Sequence, residues 1–72
     1  MSAGVYPEPV AGPISVFDKL ACATRELKLR ERVYPRRIEK RQMTPQLAAR
    51  EIATMRAIVA DYAERAAGER LL

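Results

Sequence analysis

Two stripes with the spacing of an amphipathic helix run along the chain, separated by a short basic segment. The first is mainly apolar, with Glu31 intruding near its loop end, and its members are Val16, Phe17, Leu20, Ala23, Thr24, Leu27 and Tyr34. The second advances in alternating steps of four and three residues, is widened by Leu47 and Ile58, and contains Ala48, Ile52, Met55, Val59, Tyr62 and Ala66. Because such stripes mark the buried faces of helices, the pattern predicts an all-α helical hairpin with antiparallel helices over about 15–34 and 44–67.

Capping residues and prolines indicate where these helices begin and end. Ser15 suits the N-cap of the first helix, and Asp18 at the N3 position complements its positive terminus. Pro35 disfavours a helical conformation at the preceding residue and lacks an N–H donor, so the first helix should end or kink there. Thr44 and Pro45 match the N-cap and N1 positions of the second helix. The residues between the two prolines are therefore predicted to form a short basic connector, with either a loop or one further helical turn over residues 36–42.

Proline and glycine divide the chain into tails and a domain. Residues 1–14 hold three of the five prolines and two of the three glycines, a composition that disfavours a helix. We predict an N-terminal tail there, which either lies across the helices or extends into solvent. Residues 15–68 form the predicted hairpin domain, and residues 69–72 form a short C-terminal tail.

A second, thinner apolar line lies on nearly the opposite side of the first helix and consists of Cys22, Leu29 and Val33. A chain of 72 residues buries a smaller fraction of its surface than a larger domain does, and each helix of a lone hairpin buries one face only. Pairing two hairpins into a four-helix bundle would bury the remaining apolar positions. We therefore predict a homodimer with Cys22, Leu29 and Val33 at the dimer seam.

The residue types in the chain point away from catalysis. Histidine, the usual acid–base group at neutral pH, is absent. The one cysteine, Cys22, forms no intrachain disulfide and has no obvious base to activate it, which predicts an interface residue in a reducing, cytoplasmic setting. Glu26 and Glu31 have arginines nearby and are predicted to form ion pairs. We therefore predict no enzyme activity, no catalytic or metal site and no cofactor.

Positive charge provides the one functional signal. The net charge is +4, and between Arg25 and Arg41 there are eight basic and three acidic residues. The candidate contact residues are Arg32, Arg36, Arg37, Lys40 and Arg41. Their charge suits an acidic protein or the phosphates of a nucleic acid, and it equally suits a solvated elbow that keeps the hairpin from aggregating. No apolar run approaches the roughly 20 residues that cross a bilayer, so no membrane partner is predicted.

A set of motifs in the middle of the chain resembles a known group of proteins. The segment 30–36, with the letters RERVYPR, is followed by Met43-Thr44 and by the Ala-rich segments 48–52 and 55–58. Over about residues 16–63, these motifs resemble small helical proteins encoded by tailed phages and bacterial prophages. Gln42 stands where Arg is commoner in that group. The resemblance implies a phage or prophage origin in a bacterial host, and it transfers no activity to any residue.

Three functions are compatible with these observations. The favoured interpretation is a noncatalytic interaction module, in which a dimer of hairpins presents its basic elbows to a protein of phage or host. The first alternative is an accessory nucleic-acid-binding protein that clamps phosphates with the same arginines and lysines. The second alternative is an inhibitor of a host defence or polymerase complex, although the positive charge argues against mimicry of DNA.

Overall fold

The structure, a computed structural model that describes residues 12–70, is a hairpin of two helices. Helix α1 spans Val16–Glu39, helix α2 spans Pro45–Arg70, and residues 40–44 connect them. Contacts between the start of α1 and the end of α2 show that the helices are antiparallel. The predicted all-α hairpin is confirmed, and the described range contains no strand. The four-helix bundle stays a prediction, and the predicted conformation of the N-terminal tail falls largely on residues 1–11, outside the described range.

Both predicted N-caps are confirmed. The Ser15 hydroxyl accepts a hydrogen bond from the Asp18 N–H at 3.0 Å, and the Asp18 carboxylate accepts one from the Ser15 N–H at 3.3 Å. This reciprocal pair is a capping box. At α2 the Thr44 hydroxyl accepts a hydrogen bond from the Leu47 N–H at 3.1 Å, and Pro45 occupies the first helical position. Each cap satisfies a backbone donor that a helix start leaves unpaired.

Helix α1 ends at Glu39 and not near residue 34, so the predicted end at Pro35 is wrong. Pro35 lies inside the helix, although it offers no N–H to the carbonyl of Glu31. Tyr34 is buried and Ile38 is half-buried, so the turn around Pro35 is held by packing that offsets the missing hydrogen bond. As a consequence, Arg36 and Arg37 lie on α1 and not in the connector.

A Schellman motif closes the C-terminus of α1. The Gln42 N–H donates to the Arg37 carbonyl at 2.8 Å, and the Arg41 N–H donates to the Ile38 carbonyl at 3.0 Å. Arg41 has a φ of 58°, the left-handed conformation that glycine usually adopts at this position. Because this turn satisfies two of the last carbonyls of the helix, it is a second reason why α1 continues past Pro35.

Replacing Arg41 by glycine is expected to stabilise the hairpin by about 0.5–1 kcal/mol. The left-handed conformation costs an L-residue roughly 1–2 kcal/mol, and the greater freedom of glycine in the unfolded chain cancels part of the gain. Urea denaturation at a fixed protein concentration measures the change. Arg41→Ala is the matched control, since it removes the same charge and keeps the Cβ; an equal gain in both variants would assign the effect to charge and contradict this account.

Helix α2 extends to Arg70, beyond the predicted end near residue 67. Gly68 lies inside this helix, where glycine costs roughly 1 kcal/mol relative to alanine. The Arg70 guanidinium lies 5.4 Å from the centre of the Phe17 ring, a cation–π contact that anchors the last turn of α2 on the first turn of α1. Phe17 is 40% exposed. It therefore covers the edge of the hairpin, and its predicted place in the inner stripe is wrong.

The core is one layer of side chains between the helices, and its buried members are Ala23, Tyr34, Ala48, Met55 and Ala66. The other members of the predicted stripes that face this layer are half-buried: Val16, Leu20, Thr24, Leu27, Ile52, Val59 and Tyr62. Leu47 and Ile58 are 48% and 38% exposed, so they do not widen the core as predicted. Among residues 12–70, neither helix combines the length and the apolar character of a membrane span.

Candidate functional site

One exposed side of α1 carries five cations, which are Arg25, Lys28, Arg32, Arg36 and Lys40 at its C-cap. Successive members are three or four residues apart, the spacing that places helical side chains on one side. Arg25, Lys28 and Arg32 surround a shallow depression together with Leu29. At 1.5 Å per residue the row extends over about 22 Å. We call these five residues the basic stripe.

The structure brings together three of the five predicted contact residues and separates the other two. Arg32, Arg36 and Lys40 belong to the basic stripe. The Arg37 guanidinium instead lies 5.7 Å from the centre of the Tyr34 ring. Arg41 occupies the left-handed turn and borders a depression at the elbow with Ile38, Met43 and Leu47, among others. The five predicted contact residues therefore do not form one surface at the connector. Three of them lie on one side of α1, and Arg41 lies in the turn that follows it.

Sequence reasoning missed Arg25 and Lys28 as members of the contact surface. Both residues were counted in the basic run, but the assumed helix end at Pro35 placed Arg36 and Lys40 on a separate segment. The spacing of Lys28, Arg32, Arg36 and Lys40 at four-residue intervals was the signal that could have found the stripe. It indicates one side of one helix only if the helix continues through the proline.

Two acidic residues close to the stripe are engaged by other arginines. Glu26 accepts a hydrogen bond from Arg30 Nε at 2.9 Å, and Arg30 Nη1 reaches the Glu51 backbone carbonyl at 3.1 Å. Glu31 accepts a hydrogen bond from Arg56 Nη2 at 2.8 Å. The predicted ion pairing of Glu26 and Glu31 is confirmed, and Arg30 and Arg56 tie the two helices together. The hydrogen bond with Glu26 is the main cause that raises the pKa of the Arg30 guanidinium.

None of the five cations of the basic stripe forms an ion pair shorter than 4 Å within the described residues, and Glu39, three residues after Arg36, is the one carboxylate on the same side of α1 within the length of the stripe. Within residues 12–70, ion pairs shorter than 4 Å involve only Arg30 and Arg56 as cations. Lys28, Arg32, Arg36 and Lys40 are like charges at four-residue spacing, and each such contact destabilises a helix by about 0.2–0.5 kcal/mol. The stripe is thus an electrostatically unfavourable arrangement in the free chain, and an anionic surface would relieve it.

The predicted dimer seam is divided between two surroundings. Cys22 is exposed and lines an apolar groove between the helices with Ala23, Met55 and Tyr62. Leu29 is 42% exposed and lies beside Arg25, Lys28 and Arg32, whereas Val33 is half-buried. Their spacing places all three on one side of α1, but Leu29 lies among cations and of the three only Cys22 lines the groove. Their role in a dimer stays a prediction.

The chemistry offered by these surfaces is that of binding. The basic stripe supplies fixed positive charge with one apolar side chain inside it, and the groove supplies apolar contact. Among residues 12–70, no group of three His, Cys, Asp or Glu side chains lies close enough together to hold a metal ion.

Comparison with known protein families, curated proteins and solved structures gives no match for this chain. The resemblance to phage and prophage proteins therefore stays a prediction. A function for this chain therefore has to be inferred from its own surface.

Proposed function

We propose that this chain is a noncatalytic interaction module, a dimeric helical hairpin that binds an acidic protein partner through the basic stripe. The supporting observation is the row of five exposed cations on one side of α1, which has no carboxylate within 4 Å among the described residues. A phage or prophage origin and a cytoplasmic location in a bacterial host belong to the same proposal. Inhibition of a host complex would be one form of this binding.

Leu29 favours a protein over a nucleic acid as the partner. Its side chain is 42% exposed in the depression between Arg25, Lys28 and Arg32, where an apolar group of a partner would remove it from water. Phosphates offer only charge to such a surface, so binding to the phosphates of a nucleic acid gains nothing from Leu29. A partner helix with carboxylates around an apolar residue complements both features. Phosphate binding remains the competing function that the experiment must separate.

Two labelled probes separate these functions by fluorescence anisotropy: an acidic amphipathic helical peptide with leucine between its glutamates, and a duplex DNA oligonucleotide. At physiological ionic strength the peptide is expected to bind more tightly than the duplex. Leu29→Ser is expected to weaken the peptide several-fold and to leave the duplex unchanged, because only the peptide contacts the apolar side chain. Tighter duplex binding that falls steeply with salt and ignores Leu29→Ser would support the nucleic-acid function and overturn the proposal.

Charge reversal at Arg36 tests the location of the site. Arg36→Glu is expected to weaken peptide binding by about tenfold, since it removes an attractive contact and adds a repulsive one, a change of about 1.4 kcal/mol. Arg50→Glu is the matched control: Arg50 is an exposed arginine on α2, and its reversal changes the net charge by the same amount. Equal losses in the two variants would mean that the probe senses total charge only, and the stripe would not be the site.

A further inference from the structure

An apolar groove runs along one broad side of the hairpin, at the end away from the connector. Ile14, Cys22, Ala23, Met55 and Tyr62 supply its apolar lining. Ile14 is 51% exposed, and Ile58, which adjoins Tyr62 in a neighbouring depression, is 38% exposed. Together with the exposed Cys22 of α1, they show that apolar side chains just before α1, on α1 and on α2 remain in water on the same side.

We propose that a second copy of this chain docks on this groove. The proposal rests on the dimer of the proposed function and assigns its interface, which the sequence placed on the line of Cys22, Leu29 and Val33. Of these residues, only Cys22 lines the groove. The predicted seam lies on α1 alone, whereas both helices contribute residues to the groove.

The charged residues around the groove favour a second copy of the chain over the acidic partner as the molecule that docks there. The α1 side of the groove carries Asp18, Glu26 and Lys19, and Asp61 and Arg65 lie beside Tyr62 on α2. Both signs occur at the rim, so a two-fold axis can bring acids of one copy to bases of the other. An acidic partner has no such advantage here. The face around Leu29 has the opposite character, because self-association there would bring Arg25, Lys28 and Arg32 of two copies together.

The size of this side of the hairpin is adequate for a stable dimer. The 24 residues of α1 make a helix about 36 Å long, at 1.5 Å per residue. Two helices packed side by side are about 20 Å wide, which gives a projected area of about 700 Å² per copy. Stable interfaces bury about 600–1,000 Å² per partner. One hairpin side is therefore enough, whereas the groove alone would be too small.

Docking on the groove leaves Arg25, Lys28 and Arg32 of the basic stripe accessible. Around α1 these three residues lie about 60°, 120° and 80° from Cys22. Arg36 and Lys40 lie closer to the direction of Cys22 but about 21 and 27 Å farther along the helix, at the connector end. The dimer would be a four-helix bundle with Ala23, Met55 and Tyr62 near its centre and one stripe on each copy facing outward. Each dimer would then present two equivalent binding surfaces.

The experiment compares two substitutions of an exposed apolar residue by lysine, Ile14→Lys in the groove and Leu29→Lys in the basic stripe. Sedimentation equilibrium of the full chain measures dimer dissociation, and far-UV circular dichroism checks that helicity is kept. Ile14→Lys is expected to raise the dimer dissociation constant at least tenfold, and Leu29→Lys less than twofold. The two variants gain the same charge, so the difference between them reports position alone.

A direct measurement on the unaltered chain supplements these variants. Cys22 is exposed in the isolated hairpin and would be covered in the docked dimer, so its reaction with a maleimide is expected to slow as the protein concentration rises through the dimerisation range. A rate independent of concentration in a sample that dimerises would overturn the inference. A stronger effect of Leu29→Lys than of Ile14→Lys would also overturn it and return the interface to the predicted seam. A wild-type chain that stays monomeric would refute the proposed dimer itself, while leaving the peptide-binding test unaffected.

Discussion

A Tyr34→Ala protein is expected to be largely unfolded at 25 °C. Tyr34 is one of five buried apolar residues, and three of the others are alanines, so Tyr34 and Met55 supply most of the volume of the buried core. Truncation of a buried aromatic residue to alanine costs about 3–5 kcal/mol. A chain of 72 residues has a free energy of unfolding of about 4–11 kcal/mol at typical values per residue, and a core of one layer belongs near the lower limit. Far-UV circular dichroism measures the lost helicity.

Tyr34→Phe is the matched control for this prediction. It keeps the ring that fills the core and the face on which Arg37 lies at 5.7 Å. We expect its stability to remain within about 1 kcal/mol of the wild type. Wild-type helicity and stability in Tyr34→Ala would show that the layer between the helices does not hold the hairpin together.

A Pro35→Ala protein is expected to be more stable than the wild type by about 2 kcal/mol. Proline in a helix interior costs roughly 3 kcal/mol relative to alanine, because it lacks the N–H and its ring crowds the preceding turn. Part of this gain is lost, since alanine gives the unfolded chain about 0.4–1 kcal/mol of additional freedom. The midpoint of urea denaturation at a fixed protein concentration measures the difference.

Pro45→Ala tests the same substitution where proline is favourable. Pro45 occupies the first position of α2, where its N–H would be unpaired in any case and its fixed φ suits the helix. This variant is expected to gain nothing and to lose a few tenths of a kcal/mol. A gain at Pro45 equal to that at Pro35 would mean that proline acts through the unfolded chain, and not through the interrupted helix.

The parts of the fold that could be predicted are those governed by local rules. The seam of α2 followed from its spacing, because only one helical face meets the core, and the Thr44 cap followed from the residue types that accept backbone hydrogen bonds. The end of α1 could not be predicted in this way. It depends on a balance between Pro35 and a Schellman turn in which Arg41, not a glycine, adopts a φ of 58°, and a non-glycine residue gives no signal of that turn.

Only part of the candidate site could be predicted, because its geometry also depends on where α1 ends. Arg32, Arg36 and Lys40 were identified by charge, but their alignment with Arg25 and Lys28 depends on the continuity of α1 through Pro35. The aromatic contact of Arg37 and the groove that Cys22 lines with Met55 and Tyr62 depend on how the side chains pack. Charge composition identifies the residues that can bind an anion, and the helix register decides which of them act together.

The one-sided placement of the basic stripe also bears on how an encounter begins. Five other arginines contact carboxylates or aromatic rings of the hairpin itself: Arg30, Arg37, Arg56, Arg65 and Arg70. Helix α1 carries seven basic and four acidic residues, whereas α2 carries four of each. The excess positive charge is therefore concentrated on α1, which gives the hairpin a charge asymmetry across its width. An approaching anion is turned toward that side before contact, within a Debye length of about 8 Å at physiological ionic strength. The overall charge of +4 accordingly understates the field that a partner meets on its way in.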